Sequence, residues 1–181
     1  MIFGLWQQSG LVASLLERSR SAAARDLCQT LEADRRVVRH QGKTRGGMAW
    51  CVATYQSPMA VLQVELHERA PGTRRATRTG RLSLSPPRRA SHPYLWIAEL
   101  ETATSVQAGR RRETLLLQEA MAMACRAGYA GIECGLPAQG DPEMHALVYR
   151  DAGFAIDRFD APRPILASGR DAFAGHAAWR A

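Results

Sequence analysis

Three consecutive arginines, Arg110 to Arg112, precede a segment with helical periodicity and are of the residue type that binds anions. The apolar residues of that segment recur at helical spacing on one face: Leu116, Leu117, Ala120, Met121, Ala124 and Ala127. Positive charges in a first helical turn oppose the helix macrodipole by about 0.3–1 kcal/mol each when exposed, and a bound anion removes that penalty. Two interpretations remain open. The arginines bind the phosphates of a polyanion, or they are solvated and Glu113 offsets part of their charge.

The tripeptide Gly42-Lys43-Thr44 is a fragment of the phosphate-binding P-loop. The full motif requires a glycine five residues earlier, where Val37 stands, and a helix directly afterwards. The residues after Thr44 predict a strand, so we reject a nucleotide-binding P-loop.

A second basic segment, residues 71–93, is expected to form a long irregular loop inserted between strands. It has no acidic residue and carries six arginines: Arg74, Arg75, Arg78, Arg81, Arg88 and Arg89. Tyr94 is the only aromatic residue near it, so the stacking platforms of a single-strand-binding surface are missing. The sequence favours a solvated loop, with nucleic-acid binding as the alternative.

Composition indicates one folded domain over residues 1–181, since nearly half of the residues are hydrophobic. The formal net charge of +7 is typical of polyanion-binding proteins. Lys43 is the only lysine, however, so the arginine excess is more easily explained by coding composition.

The four cysteines form no C-x-x-C pair and have no histidine at metal-ligand spacing, which argues against a metal site. Cys125 and Cys134 fall on apolar faces, as expected of free thiols in a reducing compartment. No apolar run reaches the ~18 residues of a membrane span, and the N-terminus lacks a secretory pattern. We expect a cytoplasmic protein without membrane association.

The periodicity predicts helices and strands that alternate in the second half of the chain, which favours an α/β fold of the α+β type, with a mixed sheet flanked by helices. Gly128 is expected to end the central helix with a positive φ. The predicted elements are helical Ser9–Asp34; strands 48–55, 59–67 and Tyr94–Thr102; a helix from Glu113; strand Tyr129–Leu136; a short helix ending at Gly153; strands at 155–159 and 163–168; and a terminal helix at Asp171–Trp179.

Three features resemble the GNAT superfamily of acyl-CoA-dependent N-acyltransferases. C-R-A-G-Y-A-G-I-E-C-G-L at Cys125–Leu136 is similar to the end of that family's central helix and the strand after it. Y-R-D-A-G-F at Tyr149–Phe154 is similar to the family's Y-x-x-x-G-F, and the spacing from Leu100 to Leu116 fits its strand, phosphate loop and helix start. The resemblance implies a mostly antiparallel central sheet.

The resemblance also implies a binding site for coenzyme A. The family's phosphate loop reads Gln/Arg-x-x-Gly-x-Gly/Ala, and its best register here is Gln107 to Arg112, in which arginines replace both glycines. Glycine matters there because it lets the backbone approach a pyrophosphate closely. The implied pantetheine-binding backbone lies at Glu101–Val106 and Ile132–Leu136. The implied cofactor-binding residues are Val106, Gln107, Gly109, Arg110, Arg111, Arg112 and Glu113.

For catalysis the resemblance makes Tyr149 the general acid, because a phenol with a pKa near ~10 is protonated at neutral pH and can donate to a departing sulfur. A core tyrosine is the alternative. Glu99 and Glu101 are the candidate bases, since strand alternation puts both on one face. His145 could serve instead, and the family's asparagine position holds Pro142.

The function implied is transfer of an acetyl or other acyl group from acetyl-CoA, or another acyl-CoA, to an amine. The acceptor, a small molecule or a protein, is not identified by any motif, and a homodimer remains open. Two alternatives stand beside it: a GNAT-like binding module without catalysis, and a polyanion-binding protein.

Overall fold

The computed structural model describes residues 16–17, 22–56, 62–86, 93–103, 106–137, 142–163 and 173–181. The chain divides into two compact units. The first comprises Met1–Tyr55 with Glu65–Thr79, and the second comprises Gln56–Val64 with Gly80–Ala181. That residues 1–181 form one domain stays a prediction.

The first unit is built from a helix on antiparallel strands. Its elements are β1 (Leu16–Glu17), α1 (Ala22–Ala33), β2 (Val37–Thr44), β3 (Ala49–Gln56) and the later part of β4 (Leu62–Arg69). Strand β2 pairs antiparallel with β1 and with β3. The apolar face of α1 is buried with small residues of β3, in a core of Ala24, Leu27, Cys28, Leu31, Ala49, Cys51 and Ala53.

The helix predicted for Ser9–Asp34 is confirmed for α1 and wrong at Leu16 and Glu17, which pair as a strand with Thr44 and Lys43. The rest of the predicted helix lies outside the described residues. Gly42 to Thr44 lie within β2, where a Cβ at Gly42 would come within 2.5 Å of the Trp50 ring. Gly42 therefore has a packing role that has no connection with phosphate binding.

The second unit combines five strands and two helices. They are β5 (Thr77–Ser85, shared with the first unit), β6 (Tyr94–Thr102), α2 (Val106–Arg126), β7 (Gly131–Pro137), α3 (Pro142–Asp151), β8 (Ala155–Arg163) and β9 (Phe173–Arg180). The strand order is β5-β6-β7-β9-β8, and the pairs are antiparallel except β6 with β7. The α+β class, with a mostly antiparallel sheet flanked by helices, is confirmed.

Gly128 ends α2 as the sequence predicts. Its φ is +76°, its N–H donates to the Cys125 carbonyl, and the Tyr129 N–H donates to the Ala124 carbonyl. These bonds satisfy carbonyls that the helix end would otherwise leave without partners. The chain can then enter β7 directly.

Two predicted elements are wrong. The irregular loop at 71–93 contains β5, in which Leu82 and Leu84 are buried and Arg81 is bonded to carboxylates of β6, so a basic segment is accommodated in a sheet. The helix predicted at Asp171–Trp179 is also wrong, since residues 173–179 belong to strand β9. Gly175 in this strand packs closely on β8: a Cβ there would lie 2.6 Å from the Asp157 carbonyl oxygen. Most of the strand predicted at 163–168 lies outside the described residues.

No helix in the described part of the chain combines the length and apolarity that a bilayer crossing requires. Among the same residues, no three His, Cys, Asp or Glu side chains converge as metal ligands.

Candidate functional site

Strands β6 and β7 of the second unit are parallel but stay paired only at their beginnings. Tyr94 to Trp96 pair with Gly131 to Glu133, and the register ends there. Each strand continues against its other neighbour, β6 on β5 to Thr102 and β7 on β9 to Pro137. Beyond Trp96 and Glu133, the facing edges therefore carry backbone N–H and C=O groups that are not bonded to one another.

This divergence begins earlier in β6, and later in β7, than the resemblance implies. Ile132, expected among the free backbone groups, is still paired with Leu95, and Val106 is already the first residue of α2. The free facing edges begin instead at Ile97 and at Cys134.

A cavity of about 210 Å³ lies at the divergence, entirely within the second unit. It brings together four of the residues that the sequence singles out, namely Tyr149, Glu99, Glu113 and His145, while Glu101 is not part of its lining. The remaining lining residues are Trp96, Ile97, Ala98, Leu100, Cys134, Gly135, Val148 and Phe173.

Tyr149 projects from α3 into this cavity and is only 6% exposed. Burial, and next the neighbouring Cys134, raise the pKa of Tyr149 well above its ordinary value. The phenol therefore remains protonated throughout the physiological range, as a proton donor requires.

Cys134 lies on β7 and its side chain is hydrogen-bonded to that of Tyr149. Burial raises the pKa of the Cys134 thiol to about 12. Because the thiolate is the nucleophilic form, this cysteine is unsuited to carry an acyl group at neutral pH.

Glu99 and Glu101 project from the same face of β6, as predicted, and a single guanidinium of β5 binds both. The Arg81 Nη2 lies 2.6 Å from Glu99 Oε2 and 3.1 Å from Glu101 Oε2. Of the two, only Glu99 is among the residues that line the cavity. Arg81 therefore fixes the position of the Glu99 carboxylate beside the cavity.

The predicted phosphate-loop residues lie inside α2, since this helix begins at Val106. The N–H groups of its first three residues, Val106 to Ala108, precede the first i→i−4 bond of the helix and point out of its N-terminus. The side chains of residues 106–110, which include Gln107 and Arg110, lie outside the description.

Two side chains near this helix start hold the chain that enters it. Arg111 is exposed, whereas Arg112 donates through Nη1 to the Ala103 carbonyl at 2.9 Å. Glu113 accepts a hydrogen bond from Thr102 Oγ1 at 3.2 Å. The two bonds link the end of β6 and Ala103 to side chains of the second turn of α2.

Sequence reasoning missed the roles of Arg81, Trp96 and Phe173 at the site. Phe173 was assigned to a terminal helix, although Gly175 in that segment is an unfavourable helix residue and could have argued against it. Arg81 was assigned to a solvated loop, although the Leu82 and Leu84 alternation beside it is a strand signal.

Two of the arginines that could contact nucleic acid, Arg78 and Arg81, form ion pairs within their own units instead. Arg78 lies 3.2 Å from the buried Glu65 carboxylate of the first unit, and Arg81 is bonded as described above. Arg74 and Arg75 are exposed, and Arg88 and Arg89 lie outside the described residues.

No protein-family model matches the chain, and no curated protein matches it. Among solved structures, the chain is similar to yncA from Salmonella typhimurium, which is assigned as an acetyltransferase and was solved with its cofactor acetyl-CoA. The two chains are 16% identical, with a TM-score of 0.47, over 65% of this chain and 64% of that one. It is similar to a GNAT-family acetyltransferase from Streptococcus pneumoniae at 14% identity and a TM-score of 0.44, over 66% and 67% of the two chains. A Bacillus subtilis acetyltransferase in complex with CoA gives 20% identity and a TM-score of 0.41, over 66% and 77%. The similarity extends over about two thirds of this chain, and the proposed function rests on the geometry of the cavity.

Proposed function

We propose that this chain is an acyl-CoA-dependent N-acyltransferase that moves an acetyl or other acyl group from coenzyme A to an amine by direct attack. The observation that carries the proposal is the cavity at the divergence of β6 and β7, where a protonated phenol, Tyr149, and a carboxylate, Glu99, line the same space.

The diverging strands suit an extended substrate arm that contains amides. Buried backbone N–H and C=O groups need partners, and an extended chain inserted at a strand edge supplies them. The free edges from Ile97 and from Cys134 lie beside the cavity. Pantetheine, which contains two amides, is the matching part of coenzyme A.

The phosphates of the same co-substrate would be bound at the start of α2. The N–H groups of its first turn, at Val106 to Ala108, and the positive end of its dipole attract an anion. The exposed Arg111 adds a positive charge at this end of the helix. Charge rather than close backbone approach therefore supports phosphate binding in this chain.

The chemistry needs one base and one acid. Glu99 accepts a proton from the acceptor ammonium, directly or through water, and the free amine attacks the thioester carbonyl carbon. As the carbon–sulfur bond breaks, its electron pair goes to sulfur, and Tyr149 donates its proton to that sulfur. The attacking nitrogen loses its second proton as the amide forms, and that proton restores the Tyr149 phenol, directly or through water. The products are an amide and the free thiol of coenzyme A.

The test is binding of acetyl-CoA measured by calorimetry and by thermal shift. A ligand at ~100 times its Kd adds about 2.7 kcal/mol to stability, which a melting curve detects readily. The proposal fails if millimolar acetyl-CoA neither stabilises the protein nor gives a heat of binding. If it binds, chromatographic detection of free coenzyme A in the presence of amines measures turnover.

A GNAT-like module that no longer binds coenzyme A is the second candidate, and the arginines at the glycine positions favour it. Arg112 is bonded to the Ala103 carbonyl next to the helix start, where the family pattern has a residue without a side chain. Under this alternative, Arg110→Gly with Arg112→Gly creates or strengthens acetyl-CoA binding. A loss of binding in that variant instead supports phosphate binding by arginine.

A further inference from the structure

The cavity is acidic although the protein as a whole is basic. Two carboxylates, Glu99 and Glu113, line it, and its described lining contains no arginine or lysine, in a chain of net charge +7. Behind Glu99, one guanidinium, that of Arg81, is shared with a further carboxylate, Glu101.

One wall of the cavity is aromatic. The rings of Trp96 and Phe173 meet edge to face, with centroids 6.4 Å apart and planes at 78°. The Phe173 ring lies directly on Gly135 of β7, where a Cβ would come within 2.3 Å of the ring. The absence of a side chain at Gly135 therefore lets this ring stand at the cavity rather than being displaced from it.

The size of the cavity limits what it can hold. Its volume of about 210 Å³ lies below the ~300–1,000 Å³ of pockets that hold drug-sized ligands. Its carboxylates repel an anionic ligand and attract a cation. An aromatic wall contributes most when it buries another ring.

We propose that the acceptor is a small primary amine that carries an aromatic ring, with its ammonium at Glu99 and its ring against Trp96 and Phe173. This inference rests on the proposed function, which requires an amine acceptor, and adds that the acceptor carries an aromatic ring. Amines with a carboxylate or phosphate near the nitrogen are disfavoured by Glu99 and Glu113. Long aliphatic amines leave the aromatic wall without a partner.

The experiment measures binding without acyl-CoA, by calorimetry and ligand-observed NMR. The probes are phenethylamine, n-butylamine and phenylacetate, which separate the contributions of the ring and the charge. We expect phenethylamine to bind at least ~10-fold more tightly than n-butylamine, equivalent to about 1.4 kcal/mol, and phenylacetate not to bind. The proposal is overturned if n-butylamine or phenylacetate binds as tightly as phenethylamine, or if phenethylamine shows no saturable binding at about ten millimolar.

A matched pair of variants locates the binding site. Glu99→Gln should weaken phenethylamine binding about 10-fold, because the ammonium loses its charged partner. Glu101→Gln removes a carboxylate that shares Arg81 but does not line the cavity, and should leave the Kd within about twofold. An equal loss in both variants overturns the assignment to Glu99. Phe173→Leu should reduce the preference of phenethylamine over n-butylamine, and an unchanged preference overturns the aromatic contact.

Failure of this inference can be told apart from failure of the transferase function. If phenethylamine binds as expected but acetyl-CoA does not bind, the amine site is supported and the acyltransferase function is refuted. If acetyl-CoA is consumed with n-butylamine and not with phenethylamine, the acyltransferase function is supported and the aromatic acceptor is refuted.

Discussion

The rings of Tyr149 and Phe154 meet edge to face, with centroids 5.3 Å apart and planes at 63°. The Phe154 N–H donates to the Tyr149 carbonyl at 2.9 Å, and Gly153 between them has a φ of +92°. The glycine turns the chain back at the end of α3 so that Phe154 packs on the residue that begins the motif. The turn formed by the motif Y-R-D-A-G-F therefore holds the buried Tyr149 phenol in one orientation.

Gly153→Ala should lower the free energy of unfolding by about 1–2 kcal/mol, because a residue with a Cβ is strained at positive φ. A Cβ at this position meets no atom within 4 Å, so the loss would report backbone conformation alone. Urea denaturation followed by circular dichroism measures it. Gly46→Ala is the control, since Gly46 has ordinary φ and an added Cβ there would meet only Thr44 Oγ1, at an ordinary contact distance of 3.9 Å. An equal loss in that variant would contradict the explanation.

Tyr149→Phe should lower kcat for acyl transfer by about 10²-fold, because the general acid is removed while the ring keeps its contact with Phe154. Acetyl-CoA affinity should change little, since the ring remains. Tyr129→Phe removes a hydroxyl outside the cavity and is the matched control. An unchanged kcat in Tyr149→Phe removes this residue from the mechanism.

Cys134→Ala should retain more than about a tenth of the transfer rate, because the neutral thiol is not required as an acyl carrier. The reason is burial, which raises its pKa to about 12 and keeps it protonated. Mass spectrometry of protein incubated with acetyl-CoA should show no acetyl group on Cys134. A stable acetyl-cysteine at that position would establish the covalent route instead.

The parts of the fold that the sequence predicts are those set by local chemistry. Gly128 and Gly153 were found because positive φ favours glycine, and the Glu99 and Glu101 face was found because strand side chains alternate. Glu119 does not belong to the apolar face of the predicted helix, yet it is 1% exposed and its carboxylate binds Arg126 of the same helix. Periodicity cannot distinguish a buried ion pair from a solvated one.

The parts that the sequence does not predict depend on contacts distant in the chain. The divergence of β6 from β7 after Trp96 is set by their different outer partners, β5 and β9, and β9 was itself predicted as a helix. Arg81 and Phe173 reach the site only through these two strands. Their roles therefore required the strand order, which periodicity does not contain.

The first unit should lose stability in acid through one buried carboxyl group, Glu65. Burial by itself raises its pKa, but hydrogen bonds from His67 and Arg36 outweigh this and lower the pKa from 4.5 to about 2. A carboxyl group with a lowered folded-state pKa stabilises the protein fully above 4.5, and that contribution is lost as the pH falls from 4.5 towards 2. Glu65→Gln should therefore cost about 1–3 kcal/mol at pH 7 and flatten the acid dependence of unfolding.

Urea denaturation at pH 7, 5 and 3 measures both effects. Asp34→Asn is the matched control, because Asp34 also faces Arg36, at 3.6 Å, but its side chain is 65% exposed. An exposed ion pair contributes about 0–1 kcal/mol, so this variant should keep the acid dependence of the parent protein. If Glu65→Gln and the parent lose stability equally between pH 5 and pH 3, the acid sensitivity originates elsewhere. The cluster of Glu65, Arg36 and His67 would then be neutral to stability, as buried ion pairs can be when desolvation cancels their attraction.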